Sequence, residues 1–365
     1  MWAMIVKEFR QLRRDRRTLA MMIVMPIILL VVLGYAATFD VKSIQVVVAG
    51  SQAAAVEHAL PKPFTVVRSE PAEGRSWAQD QLRDSDVAVA VVTGGARPLV
   101  LIDGSQLFDA QATLAALGKL DTSGSPLSAA HPEVSILYNP GLSTSAIMIP
   151  GLAGVVLVFV GTIITSLGVV RERQSGTMEQ LAVMPLRPRD VFLGKIVPYF
   201  AVAAVDLAIV LAVGVAIFGV PFNGSPAVFA LGALLFLFVT LGIGVLISTV
   251  SQNQGQAIQL AVMTMLPQIL LSGLIFPLSS IVAGVRWISY LLPLTYFNEI
   301  SRGVMLRAEP IGPLWRPFTF MAVLGLVIVA LAILRFRTFL APSPPRHGPG
   351  HGHEAIAGRR VEEAA

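Results

Sequence analysis

Residues 146–170 read AIMIPGLAGVVLVFVGTIITSLGVV, an uninterrupted stretch without one charged side chain. A helix needs about 20 such residues to cross a 30 Å hydrocarbon core, so this block reads as a membrane span. Five more apolar blocks occur, at roughly 18–37, 192–218, 227–250, 257–279 and 317–334. The whole chain of 365 residues is 55% hydrophobic and only 13% charged, with a mean hydropathy of +0.72. Soluble domains carry about 25% charge, so a disordered chain is excluded and the composition argues strongly against an ordinary cytosolic enzyme. The expected fold class is an α-helical polytopic membrane protein with six transmembrane helices. A small α/β extracytoplasmic domain is inserted between spans one and two.

The positive charge sets the orientation. Lys7, Arg10, Arg13, Arg14, Arg16 and Arg17 precede the first block, and Arg171, Arg173, Arg187, Arg189 and Lys195 follow the second. Cytoplasmic flanks collect Lys and Arg. Six spans then put both termini and the 171–195 loop in the cytoplasm of a multi-pass plasma (inner) membrane protein. The 39–140 stretch falls outside, with seven basic and eleven acidic residues. This charge distribution serves membrane orientation, and no nucleic-acid partner is expected. The first block also resembles a cleavable signal peptide, but its run of about 20 apolar residues exceeds the 7–15 of a signal core.

The domain reading follows. Residues 1–17 place Trp2, Ile5, Val6, Phe9 and Leu12 at helical spacing and form a cytoplasmic amphipathic helix on the headgroup surface; a plain basic flank is the alternative. Residues 18–37 are the first span. Residues 38–144 form the outer α/β domain, with strands at Ile44–Ala49, Phe64–Val67, Val87–Val92, Leu99–Ile102 and Val134–Tyr138. Helices are expected at 71–83 and 106–120, and a hairpin at Thr93–Arg97. Residues 145–340 supply five helices, the 171–195 loop and polar residues (Arg286, Glu299, Arg302, Arg307, Glu309) within a re-entrant hairpin or surface loop at 280–313. A disordered cytoplasmic tail occupies 341–365, where His347, His351 and His353 suggest at most weak metal binding.

Chemical motifs are scarce. No G-x-x-x-x-G-K-[ST] loop occurs, since Gly194-Lys195 is followed by Ile196 and Gly118-Lys119 by Leu120. The chain therefore lacks a nucleotide-phosphate cradle of its own. H-E-x-x-H and G-x-S-x-G are also missing, and there is no cysteine. No catalytic or metal site is expected. The 171–195 segment, RERQSGTMEQLAVMPLRPRDVFLGK, is too long and too structured in composition for a mere connector. The segment is punctuated by Gly176, Pro185 and Pro188; a short helix over Ser175–Met184 suits a surface that transmits force from a cytosolic partner, and a solvated loop that merely obeys the positive-inside rule is the alternative.

Arg171-Glu172-Arg173, then Gly176-Thr177-Met178-Glu179-Gln180-Leu181, Pro185, Gly194-Lys195 and Pro198-Tyr199, resemble the signature of type-2 ABC exporter permeases. Tyr138-Asn139-Pro140, the segment Leu271–Pro277, and Pro293-Leu294-Thr295-Tyr296 with Arg302-Gly303 extend the resemblance over residues 1–340. It departs from the family pattern at Gln174-Ser175 and at Ser280–Ala283. The likeness is to the bacterial drug-exporter branch with a large outer domain. It implies a half-transporter, homodimeric or paired with a related permease copy, in the lipid bilayer. Two cytosolic ATP-binding subunits would hold the ATP and Mg, with a periplasmic adaptor as an optional partner. No cofactor is expected on this chain. On this resemblance, Arg171, Glu172, Gly176, Thr177, Glu179, Leu181, Pro185, Gly194 and Lys195 serve ATPase coupling. Ser272, Gly273, Pro277 and Tyr296 belong to the transport pathway.

Asp206 joins that pathway on separate grounds. A carboxylate mid-way through an apolar span costs about 2.5–3.5 kcal/mol on insertion scales, so it must face protein or water. It is either a cavity group or a structural partner for Gln259 or Gln268. Gly151, Gly154, Gly161 and Gly168 mark a close helix–helix contact. The expected function is export of a drug, lipid or other amphiphile. The alternative is a membrane receptor or assembly scaffold with an outer binding domain, and a secondary transporter is disfavoured by scarce intramembrane charge.

Overall fold

The computed structural model describes residues 43–84, 87–95, 97–123, 132–175 and 188–340. The expected amphipathic helix at 1–17, the first span at 18–37 and the tail at 341–365 lie outside the described residues. What remains is a sheet domain joined to a bundle of apolar helices.

The sheet domain begins with β1 (Ile44–Ala49), whose sequence IQVVVA alternates between two buried faces. It continues through α1 (Ala53–Ala59), β2 (Phe64–Glu70), α2 (Arg75–Asp84), β3 (Val89–Val92), β4 (Leu99–Asp103), α3 (Leu107–Ser123) and β5 (Glu133–Leu137). The strand order is β2-β1-β3-β4-β5. Pairing is parallel except between β3 and β4, where Val89 faces Ile102 and Val92 faces Leu99. That single antiparallel pair is the hairpin expected at Thr93–Arg97. Gly50 ends β1 at a φ of +97°, and a Cβ there would strike the Thr93 backbone. Period-2 geometry sends Ile44, Val46 and Val48 to a layer shared with Ala53 and Ala110. Val47, Ala90 and Leu101 pack with Ala78 and Leu82 on the opposite face. The domain is therefore a three-layer α/β unit.

Helix α4 (Thr144–Val158) leads into a π-helical turn at Phe159–Ile164 and then α5 (Thr165–Gln174). The bundle goes on with α6 (Pro188–Phe218), α7 (Pro226–Val250), α8 (Gln254–Leu271), α9 (Ala283–Ser289), α10 (Pro293–Met305) and α11 (Trp315–Leu340). Among the described residues, four stretches are long and apolar enough to cross a membrane: Thr144–Arg171, Tyr199–Phe218, Pro226–Val250 and Trp315–Arg335. The block read as 257–279 stops at Leu271, because Gly273 turns to a φ of +81°. Helix α8 also carries Gln254, Gln256, Gln259 and Gln268, which makes it more polar than the other four. The stretch read as the 171–195 loop is partly helical, with α5 running to Gln174 and α6 starting at Pro188. Pro at a first helical position needs no N–H partner and has a suitable φ, which explains the early start.

Helix α7 is the axis of the bundle. Phe236 is fully buried and stacks on Phe297 of α10, with ring centroids 4.5 Å apart. Phe229 meets the same Phe297 edge-on at 6.0 Å. The four glycines of the 146–170 block all lie at tight contacts, as their spacing suggested. A Cβ on Gly154 would stand 2.6 Å from Leu294 and 2.7 Å from Phe297. Side chains added at Gly151, Gly161 and Gly168 would collide with Leu274, Thr240 and Tyr199 respectively. Gly244 of α7 is crossed by the Gly161 carbonyl, and a Cβ there would also lie 3.0 Å from Thr165.

Gly244→Val is therefore expected to destabilise the folded chain by at least about 1–3 kcal/mol, the usual cost of overpacking. Gly118 of α3 has open space around its missing Cβ. Gly118→Ala should gain at most about 1 kcal/mol from helix propensity. Thermal unfolding in detergent, followed by intrinsic tryptophan fluorescence, checks both; equal midpoints for the two variants would refute the close crossing.

Candidate functional site

The sheet domain and the bundle meet at a buried polar joint. β4 ends in Asp103, a fully buried carboxylate that accepts from Ser105 N at 2.8 Å and from Gln106 Nε2 at 3.2 Å. Its Oδ2 lies 3.5 Å from Arg307 Nη1, across 204 residues of sequence. The same guanidinium pairs through Nε with Glu309, which is 3% exposed. Asn139 ties the other strand end to the bundle. It donates to the Gly104 and Ser143 carbonyls at 3.2 Å and accepts from Ser143 N at 2.9 Å, holding the chain as it enters α4. Three non-glycine residues with positive φ gather here: Tyr138 at 64°, Leu142 at 47° and Ala308 at 54°. Such backbone costs about 1–3 kcal/mol per residue and persists only where surroundings over-determine it. Arg307 and Glu309 flank one of the three, Ala308. Removing one partner from a buried ion pair costs about 3–5 kcal/mol, so the joint is held firmly.

Beside this joint lies a cavity of about 490 Å³. One wall belongs to the sheet domain, with Ser105, Leu107, Phe108 and Asp109, and a second to α4, with Ile147 and Met148. The third comes from the polar segment 272–307. There Arg286 donates to the Ser279 and Ile281 carbonyls at 2.8 Å, strapping the Leu278–Ser280 turn to α9. Arg302 donates to the Gly273 and Leu274 carbonyls at 3.0 and 3.5 Å. Asn298 donates to Ser272 O and Oγ at 3.2 and 3.1 Å. Tyr296 donates to the Tyr290 carbonyl at 2.6 Å and stacks on Phe320. The carbonyls freed where α8 ends are thus bound by side chains of α10, which satisfies irregular backbone within the bundle.

Four residues expected in a transport pathway, Ser272, Gly273, Pro277 and Tyr296, line this one cavity. Asp206 does not. It sits half-buried on α6, with no hydrogen bond to Gln259 or Gln268 among the described residues. Of the coupling residues, Arg171 is exposed near the end of α5, where its carbonyl accepts from Ser175 N. Glu172 lies in α5, and Gly194 and Lys195 in α6. Gly176, Thr177, Glu179, Leu181 and Pro185 lie outside the described residues. Sequence reasoning missed Asp103 and Asp109, which look like ordinary polar residues of an outer domain; a carboxylate ending a buried strand was the available signal for Asp103.

Asp109 occupies the first turn of α3, where a helix N-terminus favours negative charge. Burial outweighs this, and with help from the Asp103 charge pushes its carboxyl up to about 6 from an ordinary 3.8. One of its oxygens is buried without a hydrogen-bond donor. A carboxyl whose folded pKa is raised binds its proton more tightly in the folded state, so stability falls as pH rises from about 4 to 6. Asp109→Asn removes that titration. The variant should gain nothing at pH 4 and up to about 3 kcal/mol above pH 6, by the 1.36 kcal/mol per pH unit of linkage. Melting temperatures of wild type and variant between pH 4 and 8 test the difference, and parallel curves would contradict it.

The sequence matches the family described as ABC-2 family transporter protein over residues 16–334. It is 30% identical over 343 residues to the probable multidrug ABC transporter permease YbhS of Escherichia coli K12, covering 84% of this chain and 88% of the relative. It is 28% identical over 370 residues to the probable multidrug ABC transporter permease YbhR of the same organism, covering 92% and 98%. The inner membrane transport permease YhhJ is 30% identical over 209 residues, with 56% and 55% covered. The match takes in the sheet domain, the joint, the cavity and the bundle together, and on it the chain belongs to the ABC-2 family of transporter permeases.

Proposed function

We propose that this chain forms half of the membrane pathway of an exporter that moves a drug, lipid or other amphiphile outward. The observation that carries this reading is the family match from residue 16 to residue 334, which includes both the 171–195 segment and the outer domain. The chain is a non-catalytic, multi-pass membrane component, and ABC permeases pair with ATP-binding subunits. The names of YbhS and YbhR speak of multidrug transport, which supports an amphiphilic cargo here. In the proposed assembly two permease copies, identical or related, lie side by side in the inner membrane with two ATP-binding subunits beneath. ATP and Mg belong to those subunits.

Six spans are proposed, the first at 18–37 and the fifth within 257–279, with the sheet domain outside and both termini inside. Residues 280–313 form a re-entrant hairpin at the outer side. The clustering of Lys and Arg in 1–17 and 171–195 supports this orientation. Closure of the ATP-binding subunits is transmitted through the 171–195 segment, with Glu179 and its neighbours at the contact and Arg171 and Glu172 at the hinge. A receptor or scaffold would not need this charged inner segment, so the exporter reading is preferred.

Ser76 is exposed on α2 of the sheet domain, and the chain has no native cysteine. Ser76→Cys should react with an impermeant maleimide in intact spheroplasts; reaction only after permeabilisation would reverse the topology. Glu179→Lys should leave expression and insertion near wild type. It should weaken co-purification of the ATP-binding subunit at least severalfold and uncouple ATP-dependent efflux, because truncating one partner of a buried, hydrogen-bonded interfacial charge pair costs about 2–5 kcal/mol. Wild-type co-purification and efflux from this variant would move the contact elsewhere.

A further inference from the structure

Helix α9 carries an apolar face that none of the described residues covers. Ala283, Gly284 and Trp287, with Tyr290 and Leu291 just beyond the helix end, recur at i, i+1, i+4, i+7 and i+8, and all five are exposed. Trp287, Tyr290 and Leu291 are 58%, 52% and 56% exposed. The one charge in this stretch, Arg286, is turned away onto the Ser279 and Ile281 carbonyls. The other side of α9 is apolar as well: Val285, Ile288 and Leu292 pack on the buried Leu271, Phe276 and Ile281. A helix that is apolar all round belongs in apolar surroundings, so water is a poor medium for the outward face.

Two contacts fix the depth of this face. Tyr296 donates to the Tyr290 carbonyl at 2.6 Å and stacks on Phe320, with ring centroids 5.7 Å apart. One tyrosine side chain thus reaches from the end of α9 to Phe320. Phe320 comes five residues after Trp315, where the apolar stretch Trp315–Arg335 begins, and five residues of helix rise about 7.5 Å. Trp315 is itself exposed, and the Arg316 guanidinium lies 5.7 Å from its ring centroid. Aromatic rings of this kind collect where a span meets the headgroups. The Trp287–Leu291 face therefore stands at the level of the outermost turns of that span, where a ring with a polar tip is at home. Its two turns are too short to hold a protein partner alone, since stable interfaces bury about 800 Å² on each side.

We propose that α9 is an interfacial helix, with its Ala283–Leu291 face seated against the lipid of the outer leaflet between headgroups and acyl chains. The depth of the seat rests only on the Trp315–Arg335 span, whereas the choice of leaflet rests on the topology proposed above. Arg286 and Tyr290 also line the cavity, so α9 is the partition between that cavity and the bilayer. An amphiphile in the cavity then has lipid, rather than water, on the far side of one short helix.

The protein has four tryptophans, Trp2, Trp77, Trp287 and Trp315, so replacing three with Phe leaves a single reporter. Full-length variants retaining only Trp287 or only Trp77 are placed in nanodiscs of phosphatidylcholine brominated at acyl carbons 6,7 or 11,12. An interfacial helix sits about 5–10 Å into the headgroup–acyl boundary, so Trp287 emission should fall by about half or more with the 6,7 lipid and by less with the 11,12 lipid. Trp77 of the sheet domain should respond to neither lipid and only to aqueous iodide. A nitroxide on Trp287→Cys, in the otherwise wild-type and cysteine-free chain, repeats the measurement without the other substitutions; oxygen should relax it more than a water-soluble nickel chelate does. Quenching of Trp287 by iodide instead of bromine would put the face in water and overturn the proposal. Stronger quenching by the 11,12 lipid would replace the interfacial seat with a hairpin dipping into the hydrocarbon core. Shielding from both quenchers would refute the lipid contact in favour of a protein cover, such as a second copy of this chain. Reversed labelling of Ser76→Cys would overturn the leaflet and leave the depth unchanged, so the two readings fail separately.

Discussion

The Arg307 guanidinium, held between Asp103 of the sheet domain and Glu309 of its own loop, is the point at which two separately packed cores become one structure. A charge so deeply withdrawn from water is tolerated only when its partners are present and well placed. The arrangement therefore constrains everything near it. β4 must end where Asp103 can turn inward, α10 must end where Arg307 can reach across, and Ala308 must accept a positive φ between the two charged side chains. Leu107, Ala146, Ile147 and Leu306 close an apolar patch beside it, which excludes water and strengthens the electrostatics. The cavity is a by-product of this joint, since its walls are the surfaces the joint holds apart.

Inside the bundle the governing constraint is closeness. Glycines let α4, its π-helical turn and α7 approach until backbone touches backbone, and the hydroxyls of Thr240 and Ser248 are turned onto their own helix carbonyls at 3.0 and 2.5 Å. In contrast, the Tyr199–Phe218 and Trp315–Arg335 stretches leave much apolar surface uncovered, including Val205, Ile217, Leu326 and Leu334. Apolar surface of that kind is at home in lipid tails or against another apolar helix. The core of the bundle is thus α4, α7 and α10, with α6 and α11 at its margin.

Much of this was legible in the sequence because it is written locally. Val-rich runs bounded by Gly and Pro announce the five strands, and β1 has the bounds its alternation suggests. Uncharged blocks announce the spans. Helix α1 was not foreseen, since AAAVEHA is too short to display a helical period and Gln52 offers no cap. The end of α8 at Leu271 was blurred because Ser272–Phe276 is as apolar as the helix before it; the turn comes from Gly273 and from Asn298 and Arg302 claiming the exposed carbonyls. Long-range pairings leave no local mark. Nothing near Asp103 points to Arg307, and nothing in α3 shows that Asp109 will face a bundle of apolar helices. The transport-pathway residues gathered in one wall because they lie on the two chain segments that bracket the Gly273 bend, whereas Asp206 was singled out by charge alone and belongs to another helix.

The π-helical turn at Phe159–Ile164 has a consequence for how rotation passes along the second apolar block. An α-helix advances about 100° per residue, and a π turn takes in one residue more than the α-helical ladder would. The two halves of the rod therefore keep nearly the orientation that a plain helix one residue shorter would give them. Residues of α4 that face the sheet domain and residues of α5 that lead toward Arg171 do not lie on one continuous stripe. Loss of a single residue within 159–164 would restore a plain helix and leave the Arg171 and Ile147 ends facing nearly as they do now, because the turn already absorbs the extra residue. An extra residue in a plain helix would turn the shaft by about 100°; here the π turn takes up that twist, beside the Gly161–Gly244 crossing.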